Sequence, residues 1–269
     1  MGDTHEGTVL QAKDAIQEFI NMVLEPYDGV KTNYVIHHGD EIEAFTVDHK
    51  FYNAETSNEP IPLQQAKEVI KDFKPIRKNI LAWLLGNHPW ALHKFGNITR
   101  DVICKELGIE YGTYTLKYSF NNKKNETQWK LFATHGRKGI SSTADDPSRR
   151  EANMKLILKR HLQHKASDAQ ILSKAHSHKL LILEPTANLY LYDDGEKIKK
   201  GYTKPIVYLE HSYIPPDQCW YVNTGSFLKL YEMGVSGYAE MAEYDPVEIG
   251  FAIAKVRDHH VIGVDKIIL

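Results

Sequence analysis

The segment Ile80-Leu81-Ala82-Trp83-Leu84-Leu85-Gly86-Asn87-His88 runs an unbroken apolar stretch straight into a glycine and two polar donors. An apolar run this short, stopped at once by glycine, reads as a strand buried on both faces that ends in a tight loop. Upstream, Tyr34-Val35-Ile36 ends in the same way at His37-His38-Gly39-Asp40. Downstream, residues 127–134 alternate apolar and polar positions and stop at His135-Gly136, and Ile171-Leu172 leads into Ala175-His176-Ser177-His178. Open α/β sheets bind their ligands beyond the carboxyl ends of the strands, where such loops converge.

Helical patterns fill the intervals. Residues 8–25 place Val9, Leu10, Ala12, Ile16, Phe19, Ile20 and Val23 near helical spacing before Pro26, and 61–75, 97–107 and 148–165 also read as helices, the last opened by Pro147-Ser148. Residues 111–120 and 127–134 form a hairpin about the turn at 121–125. From residue 180 the stretches LLILEPTANLYLY, KPIVYLEHSY, CWYVNTGSFL, EIGFAIAKVR and HVIGVDKIIL read mainly as strands of a second sheet. The expected fold class is α/β, an αββα sandwich of two mixed sheets flanked by helices. No linker or repeat interrupts the chain, so residues 1–269 are expected to form a single domain.

With 269 residues, 42% hydrophobic and 25% charged, the chain has the composition of an ordinary globular protein. Its net charge of -2 gives no global attraction to nucleic acid or anionic membrane, so contact with a polyanion must come from local patches. Two cysteines, Cys104 and Cys219, exclude a disulfide framework and fit a reducing cytoplasm. No signal peptide or apolar run of the ~18 residues needed for a span is present, so a cytoplasmic location and no membrane partner are expected. Glu6 stands where a myristoylation motif requires Ser or Thr.

Together with Gly2-Asp3-Thr4-His5, the strand-end loops supply the donors Asp3, His5, Asp40, Asn87, His135, His176 and His178. Two divalent cations ~3.5–4 Å apart need a bridging anionic oxygen and neutral nitrogen and oxygen donors that leave positions open for water and substrate. This mixed set suits manganese, iron, zinc or cobalt better than magnesium or calcium. In Asp3-Thr4-His5 and His176-Ser177-His178, donors two residues apart lie on one side of an extended segment and can reach the same cluster.

The order Asp-x-His, Gly-Asp, Gly-Asn-His, His and His-x-His resembles the calcineurin-like metallophosphoesterase superfamily over residues 2–226. The resemblance implies that Asp3, His5 and His178 hold one metal, that Asn87, His135 and His176 hold the other, and that Asp40 bridges them. His88 is then the catalytic acid. The implied cofactors are two divalent transition metals, manganese first, with iron, zinc, cobalt or nickel as alternatives. The implied reaction is attack on phosphorus by a metal-activated hydroxide, with His88 stabilising the leaving group. Val222-Asn223-Thr224-Gly225-Ser226 is similar to the Asn-Pro-Gly-Ser turn of the superfamily, with Thr224 in place of proline.

Three departures set further expectations. Pro89 replaces the usual acidic residue after Gly-Asn-His, so the group that orients His88 must come from elsewhere. Ala175 replaces the glycine of the last motif. Only Met1 and Gly2 precede Asp3, so the first central strand of the family is expected to be missing from the chain, a shortened start being the favoured reading, with Asp3 and His5 less firmly held.

Arg137 and Lys138 are candidate substrate-binding residues through phosphate oxygens, or else a solvated turn. Residues 47–65 form either a wall of the site or a surface loop, and Asp48, His49 and His93 are further titratable groups. The helix at 148–165 carries Arg149, Arg150, Lys155, Lys159, Arg160, His161, His164 and Lys165, a basic face able to track a nucleic-acid backbone or to be merely solvated. The motif spacings are somewhat similar to those of the DNA repair exonucleases of the superfamily. The expected function is a metal-dependent phosphodiesterase, a DNA nuclease. The alternatives are a small-molecule phosphomonoesterase or nucleotide phosphodiesterase, and a catalytically inactive interaction module.

Overall fold

Glu25 precedes Pro26, which disfavours the helical region for the residue before it, and Glu25 is accordingly extended at the end of the first helix, α1 (Lys13–Leu24). The computed structural model describes residues 1–203, 213–258 and 260–269. The strand expected over 204–213 lies, apart from Tyr213, outside the described residues. Helix α1 starts later than its apolar spacing predicts, because Thr8 and Gln11 bridge to Ser57 and Leu228 and Leu10 packs with Leu228 and Leu230.

Strand β1 (Val35–His37) pairs in parallel with β2 (Ile80–Trp83), the strand that ends in Gly-Asn-His. Between them runs α2 (Pro62–Phe73), with proline in its first turn where no backbone N–H is needed. The short helices α3 (Asn87–Trp90) and α4 (Lys105–Leu107) follow, the second continuing a π-helical segment at Thr99–Cys104. Strands β3 (Thr115–Asn121) and β4 (Thr127–Thr134) form the expected hairpin. Helix α5 (Pro147–Leu162) is capped by the Asp146 carboxylate, which accepts the Arg149 N–H at 2.7 Å.

The remaining strands are β5 (Ile171–Lys174), β6 (Leu180–Leu183), β7 (Leu189–Asp193), β8 (Ile198–Tyr202), β9 (Trp220–Thr224), β10 (Gly250–Arg257) and β11 (His260–Ile268), with α6 (Tyr238–Met241) before β10. They do not all form a separate second sheet. β6 and β9 join the earlier hairpin in a five-stranded mixed sheet of order β3-β4-β5-β9-β6, whereas β7-β8 and β10-β11 are antiparallel pairs. β5 lies between β4 and β9, parallel to both, and is buried along its whole length. Its successive residues serve opposite faces: Leu172 meets Leu158 and Leu162 of α5, while Ile171 packs with Val222, Trp129 and Val264.

Helices α1 and α2 pack with Val35, Ile80, Trp83, Phe227 and Phe251 in the largest apolar cluster, where the Phe19 and Phe251 rings meet at 4.8 Å. An apolar cavity of about 450 Å³, lined among others by Val23, Trp129, Ile171, Val222 and Phe251, includes none of the seven predicted metal donors in its wall. Among the described residues both cysteines are free and buried, and no helix is long and apolar enough to cross a membrane. The fold is thus mixed α/β with several sheets, and the loops at the carboxyl ends of β1, β2, β4 and β5 carry polar residues.

Candidate metal centre

The opening residues run beside β1. His38 N–H donates to the Met1 carbonyl at 2.8 Å, Asp3 N–H to Gly39 at 2.9 Å and His5 N–H to Asp40 at 3.0 Å. From the other side, the Phe227 N–H and the Ser226 hydroxyl donate to the Asp3 carbonyl at 3.0 and 3.2 Å. Both Asp3 and His5 are fully buried, so the first motif is clamped by long-range backbone hydrogen bonds.

Ligand-type atoms of Asp3, His5 and His178 lie within 4.8 Å of one another, and so do those of Asp40, His135 and His176. Asn87 joins the second group. Turned with its NH₂ toward them, its amide donates to His176 Nδ1 at 2.6 Å, His135 Nε2 at 2.8 Å and Asp40 Oδ2 at 3.3 Å. Turned the other way, its oxygen meets the same three acceptors, a convergence of lone pairs that a cation relieves. The structure therefore brings all seven predicted donors together, in two buried groups that could hold metal ions.

The histidine tautomers follow from their partners. His135 donates from Nδ1 to the His38 carbonyl at 2.8 Å, and His5 donates from Nδ1 to the Glu43 carboxylate at 2.7 Å. Each leaves Nε2 facing the cluster. Among the described residues, His5 Nε2 and Asp3 Oδ1 are buried without a hydrogen-bond partner, although Asp3 Oδ1 lies 3.7 Å from His178 Nε2. Leaving such atoms unsatisfied costs ~1–3 kcal/mol each, and a divalent cation satisfies both.

Five of the donors also share an uncommon backbone conformation. Asp3, His5, Asp40, His176 and His178 have φ of 54°, 48°, 51°, 70° and 57°, a region that non-glycine residues seldom enter. Glycine makes room for Asp40: a Cβ on Gly86 would stand 1.9 Å from Asp40 Oδ1, and one on Gly39 would stand 2.6 Å from the Gly86 nitrogen.

Burial raises the Asp3 carboxyl to about 6, reinforced by Asp40. Burial also opposes ionisation of Asp40, but His135 and His88 outweigh it and hold that carboxyl well below its ordinary value. Asp40 in turn overcomes the burial of His135 and raises it to about 9. Desolvation lowers His176 to about 4 and holds His178 well below its usual value, so both stand as neutral imidazoles near pH 7, the form that ligates metals.

His88 sits at the edge of the cluster, with Nε2 4.0 Å from Asp40 Oδ2 and its backbone N–H donating to Asp40 Oδ1 at 2.8 Å. The acceptor that Pro89 cannot provide is Glu43: His88 donates from Nδ1 to the Glu43 carbonyl at 2.7 Å, and the carboxylate of the same residue lies 3.7 Å away. Glu43 thus orients both His5 and His88, a role missed in the sequence, where its signal is a carboxylate three residues beyond Asp40 on one loop. Asn223 gains a concrete part as well, since its Nδ2 donates to Ser177 Oγ at 2.7 Å and to the Lys179 carbonyl, holding the His176-to-His178 loop. Arg137 and Lys138 are exposed beyond Gly136 and belong to neither donor group. Comparison with protein-family models finds no match, and comparison with curated proteins finds none either.

Proposed function

We propose that this chain is a dinuclear-metal-dependent phosphoesterase that hydrolyses phosphodiester bonds in DNA. The carrying observation is the meeting of two donor groups, Asp3-His5-His178 and Asp40-Asn87-His135-His176, with buried atoms on Asp3 and His5 that have no hydrogen-bond partner among the described residues. The two groups close on each other: Asp3 Oδ2 accepts the His176 N–H at 3.1 Å, and the His5 N–H donates to the Asp40 carbonyl at 3.0 Å. On this reading Asp40, whose carboxyl is held well below its ordinary value, would be the anionic ligand for a pair of manganese-type cations. The helices packed on the β1-β2 side and α5 on the five-stranded sheet are then the outer layers of an αββα sandwich.

Two such cations supply Lewis acidity, lowering the pKa of water and neutralising phosphoryl charge. The protein's part would be to hold them with His176 and His178, neutral near pH 7, and with His135, whose ring proton a bound cation would displace, to keep Asp40 anionic, and to present His88 Nε2 where a leaving oxygen needs a proton. A positioned general acid contributes ~10²–10⁴-fold.

A second reading, a small nucleotide phosphodiester as substrate, draws its support from α5. On α5, Arg150 donates to the carbonyls of Ala144 and Asp145, Lys155 pairs with Glu151 at 2.9 Å and Lys159 pairs with Asp217, so part of the basic face is engaged internally.

The test is manganese stoichiometry by equilibrium dialysis, followed by hydrolysis of an aryl monoester, an aryl diester, cyclic nucleotides, and single- and double-stranded DNA. We expect two equivalents of metal, diester hydrolysis, and loss of both in Asp40→Ala. Full activity in Asp40→Ala, or no metal uptake by the unaltered protein, refutes the reading.

A further inference from the structure

Beside His88 the loop after Glu43 builds a surface that the metal chemistry does not use. The Phe45 ring stacks on His88 at 4.8 Å and 24°, and the His49 ring stacks on the other side of this ladder, 4.2 Å from Phe45 at 11°. Phe51 stands 6.2 Å from Phe45 and stacks against Tyr238 at 5.7 Å and 29°. Local turns present these rings: His49 N–H donates to Thr46, Tyr52 N–H to His49, and Phe51 N–H to His49 Nδ1. A tether fixes the loop to the Tyr238 segment, because Asn53 Nδ2 donates to the Ser236 carbonyl at 3.1 Å.

The placement has a chemical consequence. His88 is the residue offered to the departing oxygen, so whatever that oxygen carries leaves along the ring ladder. Phe51 is 47% exposed, which leaves aromatic surface free to receive a planar group. Lys50 Nζ lies over the Phe51 ring, 4.5 Å from its centroid, an ammonium on a flexible stem that an incoming planar group displaces to the rim of the ring. Tyr238, stacked on Phe51 and 6.4 Å from Phe45, closes the wall on the side of the tethered segment. Exposed rings with a mobile cation next to them match a nucleobase attached to an anionic backbone, since base–aromatic stacking accepts any base. An aliphatic alcohol would gain nothing from them.

We infer that Phe45, His49, Phe51 and Tyr238 form a leaving-group subsite that stacks the base of a departing nucleoside, a specificity that rests on the phosphodiesterase reading above. The experiment compares two diesters of thymidine monophosphate with leaving alcohols of similar acidity, one releasing a second thymidine and the other methanol, the released alcohol being identified so that only cleavage expelling methanol is counted for the second, using the manganese-loaded protein. The unaltered protein should favour the dinucleotide in kcat/KM by about 10- to 100-fold, the range set by one stacked base. Phe51→Ala should remove most of that preference while leaving the methyl ester within about twofold, and Phe51→Trp should restore it.

Equal kcat/KM for the two compounds in the unaltered protein, or a parallel fall on both in Phe51→Ala, overturns the subsite while the metal reading stands. Absence of hydrolysis of both compounds by the unaltered protein, with two equivalents of manganese bound, overturns the phosphodiesterase reading and the subsite with it.

Discussion

Replacing Gly86 by alanine tests the core of the site with one carbon atom. The backbone at Gly86 has φ −97° and ψ 178°, which any residue adopts, so the substitution adds no conformational strain. It adds volume where there is none. The new Cβ would lie 1.9 Å from Asp40 Oδ1 and 2.2 Å from the Asp40 nitrogen, against an ordinary contact of at least 3.4 Å, so the carboxylate oxygen must retreat by 1.5 Å (3.4 − 1.9). Asp40 cannot yield cheaply, because it is buried, its Oδ1 accepts the His88 N–H at 2.8 Å and its Oδ2 lies 3.1 Å from His135 Nε2. Misplacement of a reacting group by ~1 Å costs ~10²-fold in rate, and overpacking of a tight interior costs ~1–3 kcal/mol. Gly86→Ala should therefore lose at least ~10²-fold in phosphodiester hydrolysis and bind fewer than two manganese equivalents, with a lowered melting temperature. Manganese dialysis, steady-state kinetics and thermal denaturation read these three effects. A variant with wild-type metal uptake and wild-type kcat/KM would falsify the assignment of Asp40 as the shared ligand.

Two further substitutions probe the surroundings. Glu43→Gln keeps a side chain of the same shape but removes the charge that orients His5 and lies near His88, and loss of such a partner typically weakens metal binding by ~10–100-fold. Calorimetric titration with manganese checks this, and an unchanged affinity would show that Glu43 serves the fold alone. Glu41 is fully buried, accepts hydrogen bonds from Thr99 and Trp83, and has its carboxyl raised by burial from 4.5 to about 7. An acid raised in the folded state binds its proton more tightly there than when unfolded, so stability is highest below the unfolded pKa and declines as pH rises from 4.5 to about 7. Glu41→Gln mimics the protonated acid, and its advantage over the parent protein should grow across that window to ~3 kcal/mol by pH 8. Urea titrations of the metal-free proteins at pH 5 and pH 8 measure it, and a difference independent of pH rules the argument out.

Local pattern carried much of the architecture. The apolar run ahead of Gly86, the alternation of residues 127–134 and the short apolar pair before Ala175 were readable as strands, since burial on one or both faces imposes a period on the side chains themselves. The donors Asn87, His135 and His176 stood after those strands and Asp40 after β1, so their strand-end positions were legible, whereas the division of these strands between two sheets was not. The start of α1 was not, because Thr8 and Gln11 bridge to partners far along the chain and override a helical pattern that extended to them.

The sequence by itself determined the α/β class, the strand-end positions of the donors and a chemistry suited to divalent metals, because periodicity and residue type are local properties. Tertiary structure alone decided which strands share a sheet: β6 and β9 read like β10 and β11, yet the first pair extends the five-stranded sheet and the second does not. It also decided how firmly Asp3 and His5 are held, through bonds to Gly39, Asp40 and Phe227, and that Glu43 supplies the acceptor absent at Pro89. Those outcomes depend on hydrogen bonds between residues tens to hundreds of positions apart, and such pairings leave no period in the chain.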